Sequence, residues 1–125
     1  MKRVIKSANA PAPIGPYSQA VLIENTLYIS GQIALDANTG ELETESIQKE
    51  TKKVMDNLGA VLNEVGADYS NIVKCSIFVS DMNNFAAIND VYAHYFTSDF
   101  PARETVEVSR LPKDVNVEIS AIAII

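Results

Sequence analysis

An arginine and a glutamate near the C-terminus are the residues whose types and spacing could carry out chemistry. Arg103 follows Pro101 at the start of one predicted strand, and Glu118 interrupts the apolar run of the next. We expect these two strands to form a hairpin, which would place a fixed cation near a carboxylate. Because a guanidinium group binds a carboxylate through two parallel hydrogen bonds, the pattern favours a small carboxylate ligand. Two other interpretations stay open, namely Arg103 in a surface ion pair and Glu118 as an exposed spacer.

The chain has one cysteine and one histidine, and both favour structural roles. Cys75 alternates with Val73 and Ile77 on one apolar strand face, so we expect it to fill the core. His94 lies opposite Phe85 on its predicted helix, which favours a solvated side chain over a general base. One cysteine and one histidine cannot supply an internal disulfide or a Cys/His zinc site within a chain. We therefore expect no metal.

The composition is typical of a single globular domain. The chain has 125 residues, of which 47% are hydrophobic and 21% charged, so we expect one domain over residues 1–125. Ten basic and sixteen acidic residues give a net charge of −6, which disfavours a nucleic acid partner. No apolar run reaches bilayer length, and the basic residues 1–3 precede no apolar signal region. We predict a cytoplasmic protein without a membrane segment.

The first half of the chain predicts a hairpin followed by a helix. Alternating segments at 18–23 and 27–33 predict two strands joined by a short turn. From Ser46 onwards, apolar residues recur at three- and four-residue steps as far as Val65. Gly66 follows as a typical C′ residue. This segment is therefore predicted to be an amphipathic helix.

The second half predicts a strand, a helix and two closing strands. Residues 72–79 alternate as a strand, and residues 81–84 offer caps for a second helix. One side of that helix carries apolar and aromatic residues: Phe85, Ile88, Tyr92, Tyr95 and Phe96. Closing strands are expected around 105–109 and 116–125. The order is roughly ββαβαββ, which predicts an α+β fold with a mixed sheet and both helices on one face.

The last strand has two faces of different character. One face is apolar throughout: Val115, Val117, Ile119, Ala121 and Ala123. The other face is polar first and apolar later: Asn116, Glu118, Ser120, Ile122 and Ile124. Because no predicted helix remains to cover this second face, we expect self-association. Glu118 and Thr105 would then lie near a subunit boundary, where pockets often form.

Several short segments follow one another in an order and spacing that cover nearly the full chain. They are Gly15-Pro16-Tyr17-Ser18-Gln19-Ala20, Ile29-Ser30-Gly31-Gln32-Ile33, Asn57-Leu58, Phe85, Asn89, Tyr92, Pro101-Ala102-Arg103 and Val117-Glu118-Ile119. In these segments the chain resembles the RidA family, also called YjgF, of reactive intermediate deaminases. The resemblance implies a chorismate-mutase-like α+β subunit. It also implies a homotrimer whose three sheets form a central barrel, with ligand clefts between adjacent subunits.

The resemblance further implies hydrolysis of 2-enamine and 2-imine acids, such as 2-aminoacrylate and 2-iminobutanoate, to 2-oxo acids and ammonia without a cofactor. Arg103 would hold the substrate carboxylate, and Glu118 would orient or deprotonate the attacking water. Thr105 would share that water through its backbone carbonyl, although many relatives have a cysteine or another small residue there. Ser120 replaces an acidic residue found in some members. A non-catalytic trimer that binds a small metabolite is the alternative.

Four further positions are assigned to substrate binding by the resemblance. Tyr17 would place its phenol at the pocket rim, or else pack against the Pro-rich lead-in. Ser30 and Gly31 would let the backbone approach the ligand closely, because glycine has no Cβ. Asn89 would contact the substrate, or else satisfy the backbone of a loop.

Overall fold

The computed structural model describes residues 1–125, which form one six-stranded sheet and two α-helices. The elements are, in chain order, β1 (Arg3–Ile5), β2 (Ala20–Ile23), β3 (Thr26–Gln32), α1 (Ile47–Glu64), β4 (Ile72–Val79), α2 (Phe85–Ala93), β5 (Ala102–Glu107) and β6 (Val117–Ile124). The predicted α+β class with a mixed sheet is confirmed. β1 is a short additional strand that the sequence pattern does not predict.

The strands are ordered β1-β2-β3-β6-β4-β5 across the sheet. β5 pairs in parallel with β4, whereas all other neighbours are antiparallel. A parallel pair needs a crossover connection, which α2 provides between β4 and β5. β4 therefore lies between β5 and β6, and the predicted closing hairpin is wrong. Arg103 and Glu118 consequently lie on strands that are not neighbours.

α1 begins and ends where the sequence predicts. The Ser46 Oγ accepts a hydrogen bond from the backbone N–H of Lys49 at 3.1 Å, which caps the first turn. Gly66 ends the helix with a φ of +72°, a left-handed conformation that glycine adopts without a steric penalty. The helix face against the sheet is completely buried: Val54, Met55, Leu58, Val61 and Leu62. This face forms the centre of the main core with β3, β4 and β6.

β4 differs from a regular alternating strand at its start. A register shift between Ile72 and Lys74 places Ile72 inside and leaves Val73 47% exposed. The prediction that Val73 shares the buried face with Cys75 is therefore wrong, because a bulge changes the alternation. Cys75 itself is fully buried, as predicted, and burial raises the pKa of its thiol. It belongs to the core.

α2 is shorter than its aromatic stripe. Ile88 and Tyr92 are buried, whereas Phe85 at the first position remains 40% exposed. The helix ends at Ala93, so Tyr95 and Phe96 pack from the following turn, where they contact Tyr69 and Tyr92. His94 is exposed at the helix end, as predicted.

The two helices leave one face of the sheet uncovered. This open face carries Tyr28, Val106 and Ile124, all between 38% and 50% exposed. It is continuous with the half-buried even-numbered side chains of β6, which confirms the two-faced pattern of that strand. Neither helix combines the length and the apolar character needed to cross a lipid bilayer.

Candidate functional site between a β-bulge and the start of β6

An irregularity in β3 forms the centre of the site. β3 pairs with β6 through Ile29 and Ala121, and again through Gln32 and Ile119, so β3 contains one residue more than its partner. This extra residue makes a bulge at Ser30 and Gly31. Bulges redirect side chains and often occur beside functional sites.

The bulge is held on one side and open on the other. The Ser30 Oγ donates a hydrogen bond to the Ser18 carbonyl oxygen at 2.6 Å, and the Ser30 N–H donates to the Gln19 carbonyl at 2.9 Å. Gly31 faces Glu118 so closely that a Cβ at position 31 would lie 2.8 Å from the Glu118 Cδ. Only a residue without a side chain leaves room for the carboxylate there.

A cavity of about 330 Å³ lies above this bulge. Its lining includes four of the predicted site residues: Tyr17, Ser30, Gly31 and Glu118. The rest of its lining is Pro11, Ala12, Ile14, Gln19, Gln32, Ile33, Leu35 and Pro112. The Tyr17 Oη accepts a hydrogen bond from the Ile14 N–H at 3.2 Å, so the phenol also supports the Pro-rich lead-in. Both roles considered for Tyr17 are thus compatible with its position.

Glu118 is the only charged side chain in the cavity lining. Burial raises the pKa of its carboxyl group above the ordinary value of 4.5, because desolvation disfavours the charged form. No lysine, arginine or histidine lines the cavity to offset this effect. A carboxyl group with a raised pKa is suited to exchange protons with a bound water.

Arg103 lies at a separate corner, between β5 and α2. Its Nη1 donates to the Asn89 Oδ1 at 2.8 Å, and its Cζ lies 5.0 Å from the Tyr92 ring centroid and 5.6 Å from that of Phe85. Such cation–π contacts stabilise a guanidinium group without neutralising it. Arg103 takes part in none of the salt bridges of the chain, so the surface ion pair considered for it is absent.

This corner has a small open cavity of about 240 Å³. It is lined by Asn89, Tyr92, Ala93, Phe100, Pro101 and Arg103. Thr105 lies two residues further along β5, and its hydroxyl is buried without a hydrogen-bond partner. The Tyr92 hydroxyl is also buried without a partner. Asn89 contacts Arg103 rather than a loop backbone.

The two groups of site residues face opposite sides of the sheet. Arg103 pairs with the buried Cys75 and contacts α2, so it points to the helix side. Glu118 pairs with Phe78 and alternates with the buried Val117 and Ile119, so it points to the other side. Within one chain, therefore, Arg103 and Glu118 do not meet. We call the corner around Arg103 the arginine half-site and the cavity around Glu118 the glutamate half-site.

Three buried polar side chains hold the walls of the glutamate half-site. The Gln19 Nε2 donates to the carbonyl oxygens of Ala10 and Pro11 in the lead-in. The Asn57 Nδ2 donates to those of Ile33 and Leu35. The third is Glu50 of α1, which binds the start of β6. Gln19 and Asn57 occur in the segments that match the family, but the sequence does not indicate that they support the site. Their burial in the structure does.

No group of three or more His, Cys, Asp or Glu side chains lies close enough together to hold a metal ion.

The fold and the two half-sites define a class of small α+β protein with a carboxylate cavity beside a β-bulge and an arginine corner at the sheet edge. The chain belongs to the family described as Endoribonuclease L-PSP, whose sequence model matches residues 7–125. Together with the relatives described next, this match confirms the resemblance to the RidA (YjgF) proteins.

Individual relatives agree with this assignment. A goat (Capra hircus) protein named 2-iminobutanoate/2-iminopropanoate deaminase is 48% identical over 124 residues, covering 99% of this chain and 90% of its own. A Yersinia pestis structure described as a conserved Rid family protein is 48% identical, with a TM-score of 0.97 and full coverage of both chains. The Escherichia coli protein TdcF with bound serine is 37% identical, with a TM-score of 0.94 and 98% coverage of both chains.

Proposed function

We propose that this protein hydrolyses reactive 2-imino and 2-enamino acids, such as 2-iminobutanoate and 2-iminopropanoate, to 2-oxo acids and ammonia. The observation that carries the proposal is Glu118, a lone carboxyl group with a raised pKa in a cavity beside a glycine bulge. The name of the goat relative and its similarity over nearly the whole chain support this reaction. We also propose a cytoplasmic location.

The active site would form between two subunits of a homotrimer. Two observations support this: the half-sites face opposite sides of the sheet, and the open face has no cover within the subunit. Arg103, Asn89 and Thr105 of one subunit would meet the glutamate half-site of its neighbour. Neither half-site has both an anion-binding group and a proton acceptor, so the reaction needs both.

Arg103 would bind the substrate carboxylate through two parallel hydrogen bonds. The Asn89 contact uses Nη1 and leaves other guanidinium N–H groups free to donate. Fixing the carboxylate also fixes the plane of the neighbouring C=N bond. Tyr17, Ser30 and Gly31 would contact the opposite end of the substrate at the cavity rim.

Glu118 would position the water that attacks this bond. The water oxygen adds to C2 of the protonated imine while the Glu118 carboxylate takes a water proton, which gives a tetrahedral carbinolamine. Glu118 then returns this proton to the nitrogen, and the C–N bond breaks with its electron pair leaving on ammonia. The C2 hydroxyl loses its proton to ammonia and becomes the carbonyl of the 2-oxo acid. Such imines also hydrolyse in water, so orientation is sufficient and no covalent intermediate is required.

A coupled assay tests the proposal. A serine or threonine dehydratase generates the enamine in a buffer with little free amine, and its disappearance is followed with and without the protein. We expect faster loss with the wild type and only the background rate with Arg103→Ala. The control is Arg110→Ala, which removes an exposed arginine paired with Asp114 and should leave the rate unchanged. Equal loss with and without the wild-type protein would refute the proposal and favour a metabolite-binding role.

A further inference from the structure

Glu50, in the first turn of α1, is a buried charged residue that the proposed reaction does not use. Its side chain has no exposed surface. Its Oε2 accepts hydrogen bonds from the backbone N–H of Asn116 at 2.7 Å and of Val117 at 3.2 Å. Its Oε1 accepts from the Asn116 Nδ2 at 2.8 Å. A buried carboxyl group is costly unless its oxygens are paired, and here three donors converge on two oxygens.

The strand pairing around the start of β6 explains why these donors need Glu50. β3 has its last pair with β6 at Gln32 and Ile119, so no β3 residue pairs with β6 before Ile119. On the other side, β4 continues to pair with Glu118 and Val117. The start of β6 would therefore have unpaired backbone N–H groups on the side from which β3 has departed. Glu50 supplies the acceptors that the missing part of β3 would have provided.

We propose that Glu50 is a positioning residue that fixes the start of β6 and thereby holds the Glu118 carboxylate at Gly31. Glu118 directly follows Val117, the last residue that Glu50 binds. The inference rests on the proposed function, since it assigns the support of the group that handles water. It does not involve Arg103, which lies on β5, two strands from β6 and on the opposite face.

Two substitutions separate this role from general packing. Glu50→Ala leaves the N–H groups of Asn116 and Val117 without an acceptor, which frees the start of β6. A misplacement of about 1 Å lowers turnover by about 100-fold, so we expect a loss of that order in kcat with KM changed by less than about threefold. Glu50→Gln keeps one oxygen for the backbone N–H groups, and the Asn116 amide can turn to accept from the glutamine. Glu50→Gln should therefore keep a kcat close to wild type.

An exchange of partners tests the contact itself. Asn116→Asp alone places two carboxyl groups against each other and should lower kcat as Glu50→Ala does. The double variant Glu50→Gln with Asn116→Asp restores a donor facing an acceptor, and kcat should recover. Thr51→Val is the matched control, because this buried neighbour donates only to the Ile47 carbonyl within α1. Its kcat should equal that of the wild type.

Steady-state kinetics and thermal unfolding are measured on each variant in its assembled form. A folded Glu50→Ala variant with wild-type kcat, or one with a loss confined to KM, would overturn the inference. If Glu50→Ala does not fold, the exchange decides: a double variant as slow as Asn116→Asp alone, or a fully active Asn116→Asp, would also overturn it. A wild type that does not accelerate imine loss refutes the proposed function instead.

Discussion

Arg103 and Glu118 are charged side chains that the single subunit leaves without an opposite charge. Neutral partners, Asn89 and two aromatic rings, hold the guanidinium of Arg103. Glu118 is desolvated in a cavity without a cation. Partly buried charges without counterions are unfavourable, and a ligand carboxylate beside Arg103 would remove part of this cost. The two side chains that lower the stability of the single chain are therefore the ones that a bound substrate would contact.

The raised pKa of Glu118 predicts a specific pH dependence of the rate. The carboxylate is the form that accepts a proton from water, so kcat should rise with pH through the Glu118 pKa, at a pH above the ordinary value of 4.5. Glu118→Gln should remove this rise together with most of the activity. A pH–rate profile of both proteins measures it. A residual activity of Glu118→Gln that keeps the same acidic limb would show that another group titrates.

Stability provides an independent check on the same residue. Because the folded-state pKa of Glu118 is raised, its contribution to stability is present below the ordinary pKa and is lost as the pH rises through the raised one. In the separate chain, Glu118→Gln should therefore have a higher Tm than the wild type at neutral pH, and a neighbouring Arg103 in the assembled protein would reduce this difference. At a pH well below 4.5 both side chains are neutral, and the two Tm values should converge.

At the scale of elements, the bulge in β3 determines where the cavity lies. Pairing resumes at Gln32 after one extra residue, which brings Gly31 against the Glu118 side chain. The regular part of β3 before the bulge is held by its pairing with β2 and β6, whereas the bulge leaves space for the cavity. A bulge without a side chain at Gly31 is therefore a condition for the glutamate half-site.

Gly31→Ala should impair turnover without unfolding the protein. The new Cβ would lie 3.1 Å from the Glu118 Cγ and closer to its carboxyl group, so the side chain must move away. We expect kcat to fall by about 100-fold, as measured in the coupled assay. Gly59→Ala is the control, because its Cβ would meet the Tyr69 ring at 2.8 Å, away from both half-sites. It should lower the Tm but not kcat, and equal kcat losses in both variants would contradict the assignment.

The elements differ in how well the sequence predicts them. Both ends of α1 are marked locally, because the apolar period starts after Ser46 and Gly66 takes a positive φ, so the pattern predicts its bounds closely. The insertion of β4 between β5 and β6 depends on long-range packing of α2, and no local signal indicates it. Likewise, the bulge that exposes Val73 has the same residue pattern as a regular strand.

The sequence predicts which residues belong to the candidate site better than it predicts how they are arranged. Every residue proposed from the resemblance lies in or beside one of the two half-sites, because the matching segments mark positions along the chain. The matching segments do not indicate the face of the sheet on which each residue lies. The expectation that Arg103 and Glu118 meet within one hairpin is wrong because β4 separates their strands and the two side chains point to opposite faces of the sheet. Buried supports such as Glu50 are also invisible locally, since a glutamate in the first helical turn is ordinarily exposed.

At the scale of the whole molecule, both helices cover one face of the sheet and leave the other open. That face carries apolar residues of β3, β5 and β6 together with the Lys74–Glu104 salt bridge at 3.0 Å. The mixed character is typical of an interface between subunits rather than of a core. In a closed ring of three, each boundary would combine the arginine half-site of one subunit with the glutamate half-site of the next.

Subunit mixing tests this arrangement directly. Arg103→Ala and Glu118→Gln should each be nearly inactive alone, but a boundary that takes Arg103 from one variant and Glu118 from the other is intact. With equal amounts and random assembly, about one boundary in four is intact, so about a quarter of wild-type activity should return after joint refolding. Native mass spectrometry verifies that mixed trimers form, and separately refolded variants are the control. Mixed trimers without recovered activity would place the complete site elsewhere than between subunits.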